Sequence, residues 1–292
     1  MTVSQVLDFW NEQRQKKGKA KLFTNRVYEF MGDVPANTMT AKLCRDYTEW
    51  RQTNIVSGFG WKKSSFKKPS LTTPQRELAY LRSATNLCIN EGLLIQGAVF
   101  DIENTETYKD RPTFTKEQAR AFTDIATWHL KLFLVIAFQS GHRMRAVLDL
   151  TWDRINFSER TIDFNKVNVR QSHKKRGVMF FKADSELERL LNIAWARKTC
   201  DYVIEYNSSG IKNIRRSWDR HLEILQREHN SWNLRGLTPH CTKHTAILWM
   251  IKEKVPFATI SLATATDIKT LIKYYASVDA GISLEAVNAT EF

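Results

Sequence analysis

Cysteine pairing is the first thing that the sequence lacks. Its four cysteines are scattered along 292 residues, with no Cys-x-x-Cys pair and no regular spacing. This distribution excludes a disulfide framework, and it argues against a zinc site because no second cluster of ligands is present. Free thiols are typical of a reducing compartment, so we expect an intracellular protein. The cysteines are Cys44, Cys88, Cys200 and Cys241.

Long apolar runs are also missing. A bilayer span needs about 20 apolar residues, and no window of the sequence approaches that length. The first residues, MTVSQVLDFWNEQRQKKGK, contain no apolar signal core. We therefore expect a cytoplasmic protein without membrane contact. Internal repeats and low-complexity tracts are absent as well, and a hydrophobic content of 42% with 11% aromatics is enough to form a core.

Acidic residues are in short supply. The chain has 31 Asp and Glu against 44 Lys and Arg, which gives a net charge of +13. An aromatic-containing chain with this excess most often binds a polyanion, and nucleic acid is the leading candidate. The alternative is a basic protein that is charged only for solubility.

Helical patterns dominate the first hundred residues. In VSQVLDFWNEQ the apolar residues fall on one stripe, and TTPQRELAYLRSATNLCINEGLL starts with Thr and Pro and ends near a glycine, as helices do. The polar and basic segment SGFGWKKSSFKKPS interrupts the helical patterns. Residues 101–113 carry charge and a proline but little apolar content, so we predict an interdomain linker there. The predicted domains are residues 1–105 and residues 113–292.

The second region mixes helices with short strands. Thr115 is predicted to cap a helix that begins FTKEQARAF, and WHLKLFLVIAF is apolar nearly all round, which indicates a buried helix. Alternation predicts three strands, TIDFN, VNVRQ and VMFF, with the basic turn SHKKRG before the last. Helices are predicted from about Ser185 to the end, including a basic one at IKNIRRSWDRHLEIL. The predicted fold class is mainly α with a small three-stranded β-sheet.

Two basic elements are candidates for a phosphate site. In SGHRMR a long apolar helix ends at Gly141 and delivers Arg143, whose side chain would be held rigidly. A structural cap or a surface charge is the alternative, and Arg145 must point elsewhere. The turn SHKKRG offers a lysine that can serve as a general acid if its pKa is lowered. Basic turns also often contact phosphates without specificity, or only solvent.

The stretch TPHCTKHTAILW concentrates four reactive side chains. Taken alone it permits a zinc site, a nucleophile with its base, or a cationic clamp on phosphate. If a helix begins at Pro239, then His240 and Lys243 share a face at i and i+3, which suits a phosphate oxygen. His244 borders the apolar side and is predicted to be structural, whereas Cys241 faces away from the pair.

The late segment TDIKTLIKYYAS contains two adjacent tyrosines. Ile268, Leu271, Ile272 and Tyr275 follow helical spacing and form one apolar stripe, so Tyr275 is predicted to be a core residue. Tyr274 is rotated about 100° away from that stripe and can meet a ligand. Packing or an interface contact is the alternative for any single tyrosine.

These elements, in this order, resemble the tyrosine recombinases, or phage integrases. The matching features are the arginine in SGHRMR, a lysine on a β-hairpin, the His-x-x-Lys-His helix start, and the late helix with its tyrosine. TTPQRELAYLRSATNLCINEGLL also resembles the helix and turn that close the family's core-binding domain, and DRPTFTKEQARAF resembles the start of its catalytic domain. The resemblance extends from about Val3 to Ala276. It implies a helical, SAM-like core-binding domain over 1–105 and an α+β catalytic domain over 113–292, which together form a C-shaped DNA clamp.

The resemblance implies a site-specific DNA recombinase that integrates or excises a mobile element such as a phage genome. In that family a tyrosine attacks a DNA phosphodiester and forms a 3′-phosphotyrosyl intermediate, without metal, ATP or any other cofactor. The resemblance assigns Tyr274 as the nucleophile and Arg143 and Lys243 as the residues that bind the phosphate. It assigns His240 to proton transfer or phosphate binding. Lys174 on the hairpin is the favoured general acid, and other registers would place His173 or Lys175 there.

Three positions depart from the family pattern. Lys243 stands where the family usually has an arginine, and a lysine keeps the charge but loses the planar, two-pronged contact. Ala265 replaces a histidine or tryptophan, and Ala146 replaces a supporting acidic residue. We therefore expect an active but slow enzyme. The alternative is a catalytically weak or inactive family member that acts as a sequence-specific DNA-binding protein; a type IB topoisomerase shares the chemistry but fits the N-terminal region less well.

The implied partners are DNA and other copies of the chain. The resemblance implies double-stranded DNA, a homotetramer on two DNA sites, and accessory DNA-bending or directionality proteins, in the cytoplasm of a bacterial or phage-infected host cell. Basic side chains expected to contact DNA are Lys62, Lys63, Lys67, Lys68, Lys175, Arg176, Arg215 and Arg216.

Overall fold

A computed structural model describes residues 1–19, 24–53, 69–102, 112–165 and 177–275. The chain divides into two compact units, Met1–Lys109 and Asp110–Phe292. Both are mainly helical within these residues, and a small three-stranded sheet lies in the second unit, so the predicted fold class is confirmed. No helix among the described residues is both long enough and apolar enough to cross a membrane.

The described part of the first unit is a small helical bundle. Helix α1 begins with a reciprocal cap, in which the Thr2 hydroxyl accepts from the backbone of Gln5 and the Gln5 side chain accepts from the backbone of Thr2. The apolar stripe predicted for α1 faces a core in which Val3, Val6 and Leu7 are buried. The helices are α1 (Val3–Lys16), α2 (Asn25–Met31), α3 (Ala41–Thr53) and α4 (Thr72–Asn90).

The second unit is organised around one buried helix. As the all-apolar pattern predicted, α6 has buried residues on every side, and it packs against α5, α7, α8 and α10. The predicted Thr115 cap is present at the start of α5. The helices of this unit are α5 (Lys116–Ile125), α6 (Trp128–Ser140), α7 (Met144–Leu148), α8 (Glu186–Ala196), α9 (Arg215–Glu228), α10 (Cys241–Lys252), α11 (Phe257–Thr264) and α12 (Ile268–Tyr275).

The three-stranded sheet consists of β1 (Ile155–Asn156), β2 (Thr161–Asp163) and β3 (Val178–Phe180), antiparallel and in that order. Ile162 pairs with Ile155 on one side and with Met179 on the other, and it is fully buried. The predicted strands TIDFN and VMFF correspond to β2 and β3. The predicted strand VNVRQ lies outside the described residues, and the two-residue β1 is too short to show alternation in the sequence.

The prediction of helices alone after Ser185 is wrong at one place. Strands β4 (Glu205–Tyr206) and β5 (Ser209–Gly210) form a hairpin between α8 and α9. Asn207 and Ser208 at its turn both have positive φ, as the two central residues of a type I′ turn do. Strands of two residues are too short to show an alternating apolar pattern in the sequence. The feature of the sequence that could have indicated this hairpin is its turn.

The apolar stripe predicted for α12 is only half buried. Leu271 and Tyr275 lie in a small cluster with Ile247, Ile251 and Ile260. Ile268 and Ile272 are instead 44% and 50% exposed, so the prediction that they face the core is wrong. The helix is eight residues long and contacts α11, which leaves its outer side in solvent.

Candidate active site

Arg143 follows directly from the end of the buried helix α6. The helix ends at Gly141, whose φ of 62° is the left-handed conformation that favours glycine. A Cβ at this glycine would lie 2.8 Å from Cγ2 of Thr264 and 3.4 Å from Cβ of Ala246. The loop that carries Arg143 is therefore packed against α10 and the end of α11, and the exposed Arg143 occupies the N-cap position of α7.

This close packing gives a stability prediction. Gly141→Ala should destabilise the second unit by about 1–3 kcal/mol more than Gly236→Ala. Both glycines have positive φ, but a Cβ at Gly236 meets only Cγ of Pro112, at 3.5 Å. Thermal and denaturant unfolding of the two variants separate the steric clash from the backbone strain that both share. Equal destabilisation would contradict the packing of the arginine loop on Thr264.

Lys243 is buried in the first turn of α10. Its side chain is 4% exposed, and its ammonium donates a hydrogen bond to the carbonyl of Thr264 at 2.6 Å. Burial, together with the smaller effect of the positive charge of Arg143, lowers the pKa of Lys243 to about 7. The two predicted phosphate ligands are thus close enough to repel, and Lys243 alternates between neutral and charged forms near neutral pH.

The turn after α11 is the meeting point of these elements. Ala265 ends α11 in the left-handed conformation, with φ 50° and ψ 43°, and it follows the residue that accepts from Lys243. The side chain of Thr264 is buried and bonds to the carbonyl of Ile260 and the hydroxyl of Thr266. Ala265 therefore occupies a fixed turn beside Lys243, although its methyl group offers no hydrogen-bonding atom.

The two histidines of α10 have different environments. His240 is exposed and occupies the N-cap position of α10. The helix begins at Cys241, two residues later than the predicted start at Pro239. His244 is buried, and its ring lies perpendicular to that of His240 with the centroids 4.9 Å apart. The Nδ1 atom of His244 lies 2.6 Å from the hydroxyl of Tyr275. His240 is thus the accessible histidine, and His244 joins α10 to α12.

The adjacent tyrosines of α12 are also placed differently. Tyr275 is 8% exposed and belongs to the apolar cluster, as its place on the stripe predicted. Tyr274 is half-buried and packs against the edge of the same cluster, and the ammonium of Lys273 lies 5.4 Å from its ring centroid. Tyr274 therefore exposes more of its surface than Tyr275 does. The helix that carries both is bonded to α10 through Tyr275 and His244.

The lysine hairpin is described only at its base. His173, Lys174, Lys175 and Arg176 lie outside the described residues. Gly177, at φ 77°, lies so close to α11 that a Cβ there would be 2.7 Å from the carbonyl oxygen of Leu262, and its N–H donates to Oδ1 of Asn165 at 3.0 Å. Phe164, the residue that follows β2, stacks on the ring of His142 with the ring centroids 3.9 Å apart. Both ends of the hairpin are thus held beside the arginine loop and α11.

The remaining predicted residues take less central positions. Arg145 points away from Arg143, as predicted, and bonds to Asp149 at 2.8 Å and to the carbonyl of Lys212 at 3.0 Å. Ala146 is buried in α7. Arg215 and Arg216 are exposed at the start of α9, with Arg215 bonded to Asp219. The predicted DNA contacts that fall outside the described residues are Lys62, Lys63, Lys67, Lys68, Lys175 and Arg176.

Three supporting contacts were not predicted: the His142–Phe164 stack, the approach of Gly177 to α11, and the His244–Tyr275 bond. Each joins residues far apart in sequence, so no local pattern reveals it. Within the described ranges, no group of three His, Cys, Asp or Glu side chains is arranged to hold a metal ion.

Two solved structures with a similar fold are integrases bound to DNA. The Tn1549 transposon integrase in complex with transposon right-end DNA matches with a TM-score of 0.71 and 15% identity, over 98% of this chain and 100% of that one. A lambda integrase dimer bound to a COC′ core site matches with a TM-score of 0.64 and 12% identity, over 91% of this chain and 96% of the other. At this identity the likeness establishes the fold.

Comparison of the sequence with protein-family models identifies the family of the chain. No curated protein gives a significant match to the chain. The model of the phage integrase family matches residues 112–280, which is more than half of the chain and includes every element of the site above. The chain belongs to the phage integrase family.

Proposed function

We propose that the protein is a site-specific DNA recombinase that cuts and rejoins strands through Tyr274. The observation that carries the proposal is that Lys243 bonds to the Thr264 carbonyl, while Gly141, two residues before Arg143, packs on the side chain of Thr264. The charge of Arg143 acts on Lys243, and the tyrosine helix is bonded to His244 in the same turn of α10. A phosphodiester that carries negative charge requires fixed cations, and a phenol beside them can act as its nucleophile. Members of the matching fold are seen with DNA, which supports DNA as the substrate.

The reaction is an in-line exchange at phosphorus. The phenol of Tyr274 loses its proton to water, its oxygen forms a bond to the phosphorus, and the bond from phosphorus to the 5′-oxygen breaks. The 5′-oxygen takes a proton from the hairpin lysine, Lys174, and leaves as a hydroxyl. Arg143 and Lys243 face the non-bridging oxygens, where negative charge accumulates, and the exposed His240 donates to the phosphate. The 3′-phosphotyrosyl bond retains the energy of the broken bond, so the reverse step joins a new 5′-hydroxyl without an external energy source.

Lys243 makes the proposed activity depend on pH. The pKa of Lys243 is about 7, so in the free protein this side chain loses its charge as pH rises through neutrality. A neutral amine stabilises the negative charge of the pentavalent phosphorus transition state less well than an ammonium does. We expect Lys243→Arg to form the DNA adduct about tenfold faster than wild type at pH 8, and at a similar rate below pH 6.5. Adduct formation at subsaturating DNA from pH 6 to 9 measures the effect, because this regime reports the ionisation of the free enzyme.

The matched control is Lys252→Arg, an exposed lysine at the end of the same helix. It should reproduce the wild-type pH profile. If Lys243→Arg also reproduces that profile, the charge of Lys243 does not limit the reaction.

A second candidate is a DNA-binding protein with little or no catalysis. The environment of Lys243 favours this second candidate, because its ammonium is bonded to the Thr264 carbonyl. The side chain of Ala265 beside it provides no hydrogen-bond donor. This protein would bind DNA with the salt dependence of phosphate contacts and exchange no strands. Lys243→Arg would then leave cleavage undetectable.

A nicked substrate distinguishes the two. DNA flanking the gene, nicked beside each candidate cleavage point, loses a short 5′-hydroxyl fragment on cleavage and leaves the protein covalently attached. Denaturing gels then show an adduct for a recombinase and only free protein for a binding protein. A shift on native gels without a denaturation-resistant adduct would reject the recombinase.

The unit Met1–Lys109 is proposed to bind DNA together with the catalytic unit. The proposed assembly is four protomers on two DNA sites, with accessory DNA-bending or directionality proteins. The exposed Arg215 and Arg216 at the start of α9 are proposed phosphate contacts. Sedimentation of the protein with one and with two DNA sites measures the stoichiometry.

A further inference from the structure

Helix α12 is short, and within the described residues one side of it is buried. At eight residues it is shorter than an isolated helix needs to be stable in water, which is about 12 residues or more. Ile268 and Ile272 are exposed on its outer side, and two buried side chains, Leu271 and Tyr275, hold its inner side. Any contact that fixes the inner side therefore has a large effect on where the helix lies.

The hydrogen bond between Tyr275 and His244 is such a contact. Its 2.6 Å length is that of a strong bond, and both residues are more than nine-tenths buried. A tyrosine hydroxyl can donate to a neutral imidazole nitrogen or accept from a protonated one, so the pair can bond in either state. Exclusion of water from the pair makes the bond costly to break.

The bond joins the nucleophile helix to the phosphate site. His244 immediately follows Lys243 on α10, and its ring lies against that of His240. Tyr275 immediately follows Tyr274. One side-chain contact thus connects the backbone of the proposed nucleophile with the turn that carries two of its proposed partners.

We propose that Tyr275 is a positioning residue, which through His244 fixes α12 on α10 and so places the hydroxyl of Tyr274 for attack. The inference rests on the proposed function. It assigns the two adjacent tyrosines separate roles: Tyr274 reacts with DNA, and Tyr275 holds the helix. Tyr275 is too enclosed to meet a phosphodiester, because it is 8% exposed and lies within the apolar cluster.

Tyr275→Phe tests the proposal because it removes only the hydroxyl and leaves the ring in the cluster. We expect adduct formation at saturating DNA to slow about tenfold, with DNA affinity unchanged. Amide exchange in the free protein should accelerate over 268–275 and stay constant over 241–252. Tyr206→Phe is the control, since Tyr206 is 61% exposed in the same unit, and it should change neither quantity.

A double-mutant cycle separates positioning from general loss of stability. His244→Phe should slow the reaction, and adding Tyr275→Phe to it should slow it no further, because the second change removes a bond already lost. His244→Asn, whose amide can replace Nδ1, should restore part of the rate. Additive effects, or a wild-type rate in Tyr275→Phe, would overturn the proposal, as would an adduct on Tyr275 itself.

The failure of this inference differs from failure of the proposed function. If wild type forms no adduct, the recombinase is rejected, and with it the catalytic role of Tyr275. If wild type forms an adduct but Tyr275→Phe changes neither its rate nor the exchange of α12, the recombinase stands and the positioning role is wrong.

Discussion

Tyr274→Phe is expected to abolish the covalent protein–DNA adduct and to leave DNA affinity within about twofold of wild type. The substitution removes the attacking oxygen and nothing else, since the phenyl ring keeps its contact with the edge of the cluster formed by Ile247, Ile251 and Leu271. A neutral phenol is a weak nucleophile in water, so the reaction depends on cations that stabilise the charge of the transition state. Denaturing gels with nicked DNA measure the adduct, and fluorescence anisotropy measures the affinity.

The neighbouring tyrosine supplies the control for this result. Tyr275→Phe changes the same functional group one residue away and should slow the adduct without abolishing it. An adduct that persists in Tyr274→Phe and disappears in Tyr275→Phe would exchange the roles of the two residues. An adduct that persists in both would place the nucleophile elsewhere in the chain.

Arg143→Ala should lower the rate of adduct formation by about 10²–10³-fold, by analogy with the removal of one donor from an oxyanion site. The loss is larger than that expected from substituting Lys243, because Arg143 is charged at every working pH and can contact two oxygens at once. Substrate affinity should fall less than the rate does, since the contact strengthens as charge accumulates on the phosphate. Single-turnover rates at saturating DNA separate the two effects.

A second readout of Arg143→Ala is the pH profile. The positive charge of Arg143 contributes to the lowered pKa of Lys243, so its removal should raise that pKa and move the decline in activity to higher pH. Arg145→Ala is the matched control, because Arg145 is engaged with Asp149 and the Lys212 carbonyl away from the site. A larger loss in Arg145→Ala than in Arg143→Ala would contradict the assignment.

The sequence alone was sufficient to predict the structural features that depend on residues close together in the chain. Caps such as Thr115 and apolar periodicity located helices, and α6 was identified as buried because it lacks a polar side. Local pattern also separated Tyr275, on the apolar stripe, from Tyr274, beside it. It failed where a helix is too small to bury its whole stripe, so that Ile268 and Ile272 face solvent.

The contacts that build the site could not be predicted in this way. The burial of Lys243 on the Thr264 carbonyl joins residues 21 apart in sequence, and the His244–Tyr275 bond joins residues 31 apart. Lys243 was expected to be an available cation, and the structure places its ammonium in a dry turn where the charged form is costly. Only the tertiary packing of α10 on the end of α11 produces that environment.

The most direct measurement is the identity of the amino acid that becomes linked to DNA. Trypsin cuts after Lys273 and releases both tyrosines in one peptide, because they are adjacent and no Lys or Arg lies between them. After nuclease trimming of the adduct, fragmentation of this peptide by mass spectrometry locates the nucleotide on one residue. We predict a 3′-phosphate ester on Tyr274. A nucleotide on Tyr275, or an unmodified peptide from protein that has cleaved DNA, would contradict the proposed mechanism.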